Sequence, residues 1–171
     1  MVGSILLKGK SAFLSSDIAI TIDLGPDNVD INNINETGFD ALMKKSLRQT
    51  FPDVKSRKEK KKLYGLLSAD MGFELRDQIL NDTNLLGSEA KLWFTASDDI
   101  DLLLKGAVDL SLGEDNRRIS DLEAEWISLL KDTDNVRLKF NKKFFTNGDS
   151  SEPELAGILS VVMVSMITLS I

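Results

Sequence analysis

The chain contains no cysteine and no histidine among its 171 residues. Without histidine there is no Ser-His-Asp triad and no imidazole metal site. Without cysteine there is no thiol nucleophile, thiolate zinc site, iron–sulfur cluster or redox dithiol. Disulfides are excluded as well, so the cysteine count leaves the compartment open. Excess positive charge is also missing: 21 Lys and Arg stand against 27 Asp and Glu, a net charge of −6. A general nucleic-acid binder needs positive surface to neutralise phosphates, so this balance argues against nucleic acid as a partner. No internal repeat, GxGxxG, Walker loop or calcium-loop pattern occurs. Acidic pairs do occur, at Asp98-Asp99-Asp101 and Glu114-Asp115. With this many acids such pairs arise by chance, and they assign no carboxylate dyad or magnesium site. No catalytic, cofactor-binding or metal-ligating residue is therefore assigned, and no cofactor is expected.

What is present is ordinary globular composition, 42% hydrophobic and 28% charged, at a length that suits one domain with a sizeable core. Asp17 to Asp40 holds six acids and no base. Within it Ile18, Ile20 and Ile22 alternate with Ala19, Thr21 and Asp23, a period-2 strand with one buried face. Gly25-Pro26-Asp27-Asn28 reads as a turn. Thr37 is placed to cap a helix, with Asp40 three residues on. Phe39, Leu42, Met43, Leu47 and Phe51 then share one helical face, and Phe51-Pro52 ends it.

A basic run follows, Lys55 to Lys62, with six Lys and Arg and one Glu. It reads as the solvated first turns of an amphipathic helix leading into Leu63, Tyr64, Leu66 and Leu67. Six bases could hold phosphates, but no glycine loop or interleaved aromatics accompany them. Met71 to Leu80 continues as helix, with Phe73, Leu75, Ile79 and Leu80 supplying apolar contacts. After a break at Asn81–Asn84, Ala90 to Thr95 is a short strand with Leu92, Trp93 and Phe94 packed together. Ser97 caps a helix over Asp98 to Lys105. Leu112 to Asn116 is a turn, and Ser120-Asp121-Leu122-Glu123 is a capping box. Leu122, Trp126, Leu129 and Leu130 line one face of the helix that follows, ending near Asp132. Val136, Leu138 and Phe140 alternate with Arg137, Lys139 and Asn141, a second period-2 strand. Two period-2 strands, the short strand from Ala90 to Thr95 and four or five helices give an α+β class.

The two ends differ from this middle. Ile5-Leu6-Leu7, cut off by Lys8 and Lys10, is too short for a secretory signal. It reads either as a loose arm or as the last turn of a membrane helix. From Leu155 to Ile171 there are 17 residues and no charge. As helix this covers roughly 26 Å, close to the ~30 Å hydrocarbon core. A buried terminal helix or strand is the plainer reading, but the segment has no polar face, and terminal segments of small domains are seldom buried all round.

Several stretches in order resemble the N-terminal portion of the PstA-type permease subunit of phosphate ABC importers, in the branch with an extra domain between the first and second membrane helices. They are Lys8-Gly9-Lys10-Ser11-Ala12-Phe13, Leu63-Tyr64-Gly65-Leu66-Leu67-Ser68, Phe73-Glu74-Leu75-Arg76-Asp77, and Ala96-Ser97-Asp98-Asp99-Ile100-Asp101 with Lys105-Gly106. The most specific runs from Phe144-Phe145-Thr146-Asn147-Gly148-Asp149-Ser150 through Glu152-Pro153-Glu154-Leu155-Ala156-Gly157-Ile158. The resemblance implies residues 1–16 as a remnant of the first membrane helix and its exit. Residues 17–145 become an α+β extramembrane domain, 146–154 a linker, and 155–171 a partial transmembrane helix. It also implies a non-catalytic transporter subunit in a bacterial inner membrane, with the domain on the periplasmic side. The implied partners are a second permease subunit, a separate ATPase subunit and a periplasmic phosphate-binding protein. Later helices and their coupling loop are missing, so the chain is not expected to conduct phosphate alone. The alternative is a free-standing interaction protein anchored by the Leu155–Ile171 tail.

Overall fold

A computed structural model describes residues 14–30, 34 and 36–140. The expectations for residues 1–13 and for 141–171, including both apolar ends and the Asn147-Gly148 turn, lie outside the described residues. Among those described, no helix is long and apolar enough to cross a membrane.

The class is α+β, with a three-stranded antiparallel sheet carrying helices on one face. In chain order the elements are β1 (Leu14–Asp23), α1 (Phe39–Thr50), α2 (Arg57–Tyr64), α3 (Met71–Asn81), β2 (Glu89–Thr95), α4 (Asp98–Leu104), α5 (Asp121–Asp132) and β3 (Val136–Phe140). The sheet order is β2-β1-β3, so the first strand is the central one. β1 pairs with β2 from Asp17 opposite Thr95 to Asp23 opposite Glu89. β3 flanks the other edge, and the Ala19 N–H donates to the carbonyl of Asn135 at 2.8 Å.

The alternation in β1 works as pattern physics requires. Ile18, Ile20 and Ile22 are fully buried, and Leu92 and Phe94 of β2 join them on the helix-covered face. Trp93 is a correction: one residue out of phase, it lies on the opposite face and does not pack with Leu92 and Phe94. β1 also starts earlier than its isoleucines suggest, at Leu14, because Ser16 and Asp17 are buried polar residues that hide the apolar signal.

Helix α1 buries Phe39, Leu42, Met43 and Leu47, and Phe51 follows at its end, the face read from the sequence. Its start differs. The N-cap is Gly38, with no side-chain cap bond, in place of Thr37. The helix instead begins against α3: a Cβ added at Gly72 would sit 2.2 Å from Asp40 Oδ1 and 3.1 Å from the Asp40 backbone nitrogen. A side chain at residue 72 would have to displace the Asp40 carboxylate and would still press on the Asp40 backbone. In α3, Leu75 and Ile79 are buried, but Phe73 is 69% exposed and Leu80 projects outward.

Helix α2 opens with a capping box in which Ser56 accepts from the Glu59 amide while Glu59 accepts from the Ser56 amide. It stops at Tyr64, so Leu66 and Leu67 are not helical. They pass through Gly65 into a bridge between Leu67 and Ala96 that extends the end of β2. Helix α4 has Ser97 at its N-cap, without a side-chain bond. Helix α5 has the full box at Ser120 and Glu123 and buries Trp126, Ile127 and Leu130, while Leu129 is half exposed. Trp126 meets Phe51 with ring centroids 5.7 Å apart. The chain then turns back at Asp134, in left-handed geometry (φ 53°) that aspartate tolerates, directly into β3. In β3 Leu138 is half exposed, so the apolar side expected of this strand is only partly covered.

Candidate functional site

The first and last strands meet through one carboxylate. Asp17 lies on the sheet face opposite the buried isoleucines, yet it is fully buried. Arg137 of β3 donates from Nε and Nη2 to Asp17 Oδ2 at 3.3 and 3.1 Å. Lys139 Nζ lies 2.8 Å from Oδ1 but off the hydrogen-bonding direction, so that contact is an ion pair without a directed bond. The Arg137 guanidinium also stacks 4.1 Å over the Trp93 ring on the far strand. One arginine thus spans all three strands. It shields a carboxylate whose burial without cations would be very costly.

This clamp ties the first strand to the last of the described strands. Asp17 is three residues into β1, and Arg137 and Lys139 belong to the last five described residues. Because β1 and β3 run antiparallel, the start of β1 and the end of β3 lie side by side at one end of the sheet. The α2–α3 connection reaches the same end. The Ser68 amide donates to Thr95, the Ser97 amide to Leu66, and the Ala96 amide to Ser16, all at 2.9–3.0 Å.

Two further surfaces stand out. A groove of 530 Å³ between α5 and the turn after α1 has an apolar floor of Phe51, Val54, Trp126 and Leu129, rimmed by Asp53, Glu125 and Asp132. Around Tyr64, Lys44 and Arg48 lie 5.9 and 6.0 Å from the ring centroid, and Arg48 Nη1 donates to the Tyr64 hydroxyl at 2.7 Å.

Of the acids paired in the sequence, Asp99, Asp101 and Glu114 have structural partners. Asp101 accepts from the Ser16 amide at 2.8 Å and pairs with Lys105 at 2.6 Å. Asp99 faces Arg118, and Glu114 accepts from the Asp121 amide at 3.0 Å. Among the described residues no group of three or more such side chains could hold a metal ion. The Asp17 clamp was not read from the sequence. The only signal was an acid at the head of an apolar strand and two bases on the polar side of another, 120 residues away.

No curated protein and no solved structure matches the chain. Residues 1–114, two thirds of the sequence and every described element from β1 to α4, match the family model described as a domain of unknown function, DUF3333. The chain belongs to the DUF3333 family.

Proposed function

We propose that the chain is part of the permease subunit of an ATP-driven phosphate importer, with its α+β domain looped out of the membrane between two membrane segments. Its role there is structural and partner-docking. It performs no catalysis, and ATP hydrolysis belongs to a separate subunit. A second permease and a phosphate-binding protein on the periplasmic side complete the assembly, and phosphate passes only through the complete assembly.

The observation that supports this reading is the adjacency of the domain's two ends. A domain inserted between two membrane segments must leave and rejoin one membrane face. A fold whose first strand begins beside the end of its last strand, held there by Asp17, Arg137 and Lys139, suits that demand. In the sequence, these ends lead toward Ile5-Leu6-Leu7 on one side and the uncharged Leu155–Ile171 run on the other.

This sequence has no cysteine and Lys131 is exposed on α5, so Lys131→Cys places one reactive thiol on the domain. In intact cells a membrane-impermeant maleimide should label it, and deletion of the gene should abolish high-affinity phosphate uptake. Labelling only after lysis, or uptake unchanged by deletion, overturns the proposal.

A further inference from the structure

We infer that the basic face formed by α1 and α2 rests on anionic lipid headgroups, and so orients the domain against the bilayer. This rests on the membrane reading above and adds a lipid-binding surface to it. The chain carries a net charge of −6, yet six cations fall within the eight residues from Lys55 to Lys62. Among the described residues none of these six makes an ion pair. The one acid among them, Glu59, is occupied by the Ser56 capping box. Lys55, Arg57, Lys58 and Lys61 are exposed.

Helical spacing brings part of this run together with α1. Arg57, Lys60 and Lys61 precede Tyr64 by seven, four and three residues, so they share its side of α2. Tyr64 in turn carries Lys44 and Arg48 of α1 against its ring. The result is a multi-cation surface centred on an amphipathic aromatic, the combination that favours a wet, anionic interface.

Position selects lipid over other polyanions. Helix α2 ends at the Leu66–Ser68 connection, which is bonded to Thr95 and Ser97 at the end of the sheet where β1 starts and β3 finishes. The cations therefore lead into the end of the domain from which both membrane-directed stretches depart. A nucleic acid has no such relation to the chain ends.

The test uses the full chain with vesicles of phosphatidylcholine, alone or with about 30 mol% phosphatidylglycerol, since each cation near an anionic surface is worth about fivefold in partitioning. The wild-type chain should prefer the anionic vesicles by at least about thirtyfold, and about 0.5 M salt should erase the preference. A variant carrying Arg57→Gln, Lys58→Gln, Lys60→Gln and Lys61→Gln, all helix-compatible changes, should lose at least about tenfold of that preference. A Lys58→Arg, Lys60→Arg, Lys61→Arg variant should keep the preference. Equal binding of the wild-type chain to both vesicles overturns this inference and leaves the membrane reading standing. Binding to neither overturns both. A preference undiminished by the four glutamines, or tight oligonucleotide binding without vesicle preference, also overturns it.

Discussion

Replacing Asp17 with asparagine keeps the side chain's shape and removes its charge, which isolates the clamp between β1 and β3. The carboxylate is fully buried, whereas Arg137 and Lys139 are 46% and 45% exposed at their side chains. The exposed partners can be rehydrated once the charge is gone, so the cost falls below the ~3–5 kcal/mol typical of breaking a fully buried pair. The arginine bonds are charge-assisted, at about 1.5–3 kcal/mol for hydrogen bonds to a charged group. The lysine contact, undirected and half exposed, adds at most ~1 kcal/mol. Asp17→Asn should therefore lose about 2–3 kcal/mol, and Arg137→Gln about 1–2 kcal/mol. The double variant should lose less than the sum, because both changes remove one interaction. Urea unfolding of the full chain in mild detergent, followed by tryptophan fluorescence, measures all three. Hydrogen exchange at the Ala19 amide, which bonds Asn135, reports β3 directly. A loss under about 0.5 kcal/mol for Asp17→Asn, with Ala19 protection unchanged, would show that β3 is held by backbone pairing alone.

Trp126 is 7% exposed and packs on Phe51, so Trp126→Ala should cost about 3–5 kcal/mol in the same unfolding assay. A change below 1 kcal/mol would place the ring outside the core, on the rough scale of surface substitutions. Gly72→Ala should destabilise by about 1–3 kcal/mol, since its Cβ would collide with Asp40 at the start of α1. Asp40→Ala should recover only part of this loss, because the Asp40 backbone nitrogen remains 3.1 Å away. Asp109 is held below the ordinary carboxylate range by hydrogen bonds from the Ser111 hydroxyl and then the Ser111 amide. A depressed folded value stabilises above the unfolded value, and the effect is lost as pH falls through the folded one. Ser111→Ala should raise the Asp109 midpoint in an NMR titration and lower stability at neutral pH, with the two chains converging in acid.

Helices were legible where apolar spacing and caps agreed. The face from Phe39 to Phe51 and the Ser120 box stood in the sequence as they do in the fold. The Ser56-Arg57-Lys58-Glu59 box has the same spelling, but every residue from Arg57 to Lys62 is charged, so no apolar period marks a helix start before Leu63. Thr37 failed as a cap because the helix starts one residue later than its spelling suggests, with Gly38 in the cap position and the Thr37 carbonyl accepting from the Phe39 amide. Leu129, Leu138 and Phe73 follow the apolar period yet remain outside, since periodicity marks a face and not what covers it. The clamp was illegible for another reason. Asp17 acquires its partners only when the last strand pairs with the first, and no local window contains both.

The strand order also governs when the domain can form as the chain is made. β1 is synthesised first but is central, so one of its edges stays open until residues 136–140 appear. Until then Asp17 has a sealed core on one side and no cation on the other. Charge and unpaired backbone both oppose early closure. A product ending at residue 114, where the family match stops, would contain β1 and β2 and neither Arg137 nor Lys139. It should expose a strand edge and aggregate. In a chain that continues into an apolar run at Leu155, the last strand arrives just before that run. Completion of the sheet and delivery of the next apolar segment then become nearly simultaneous events.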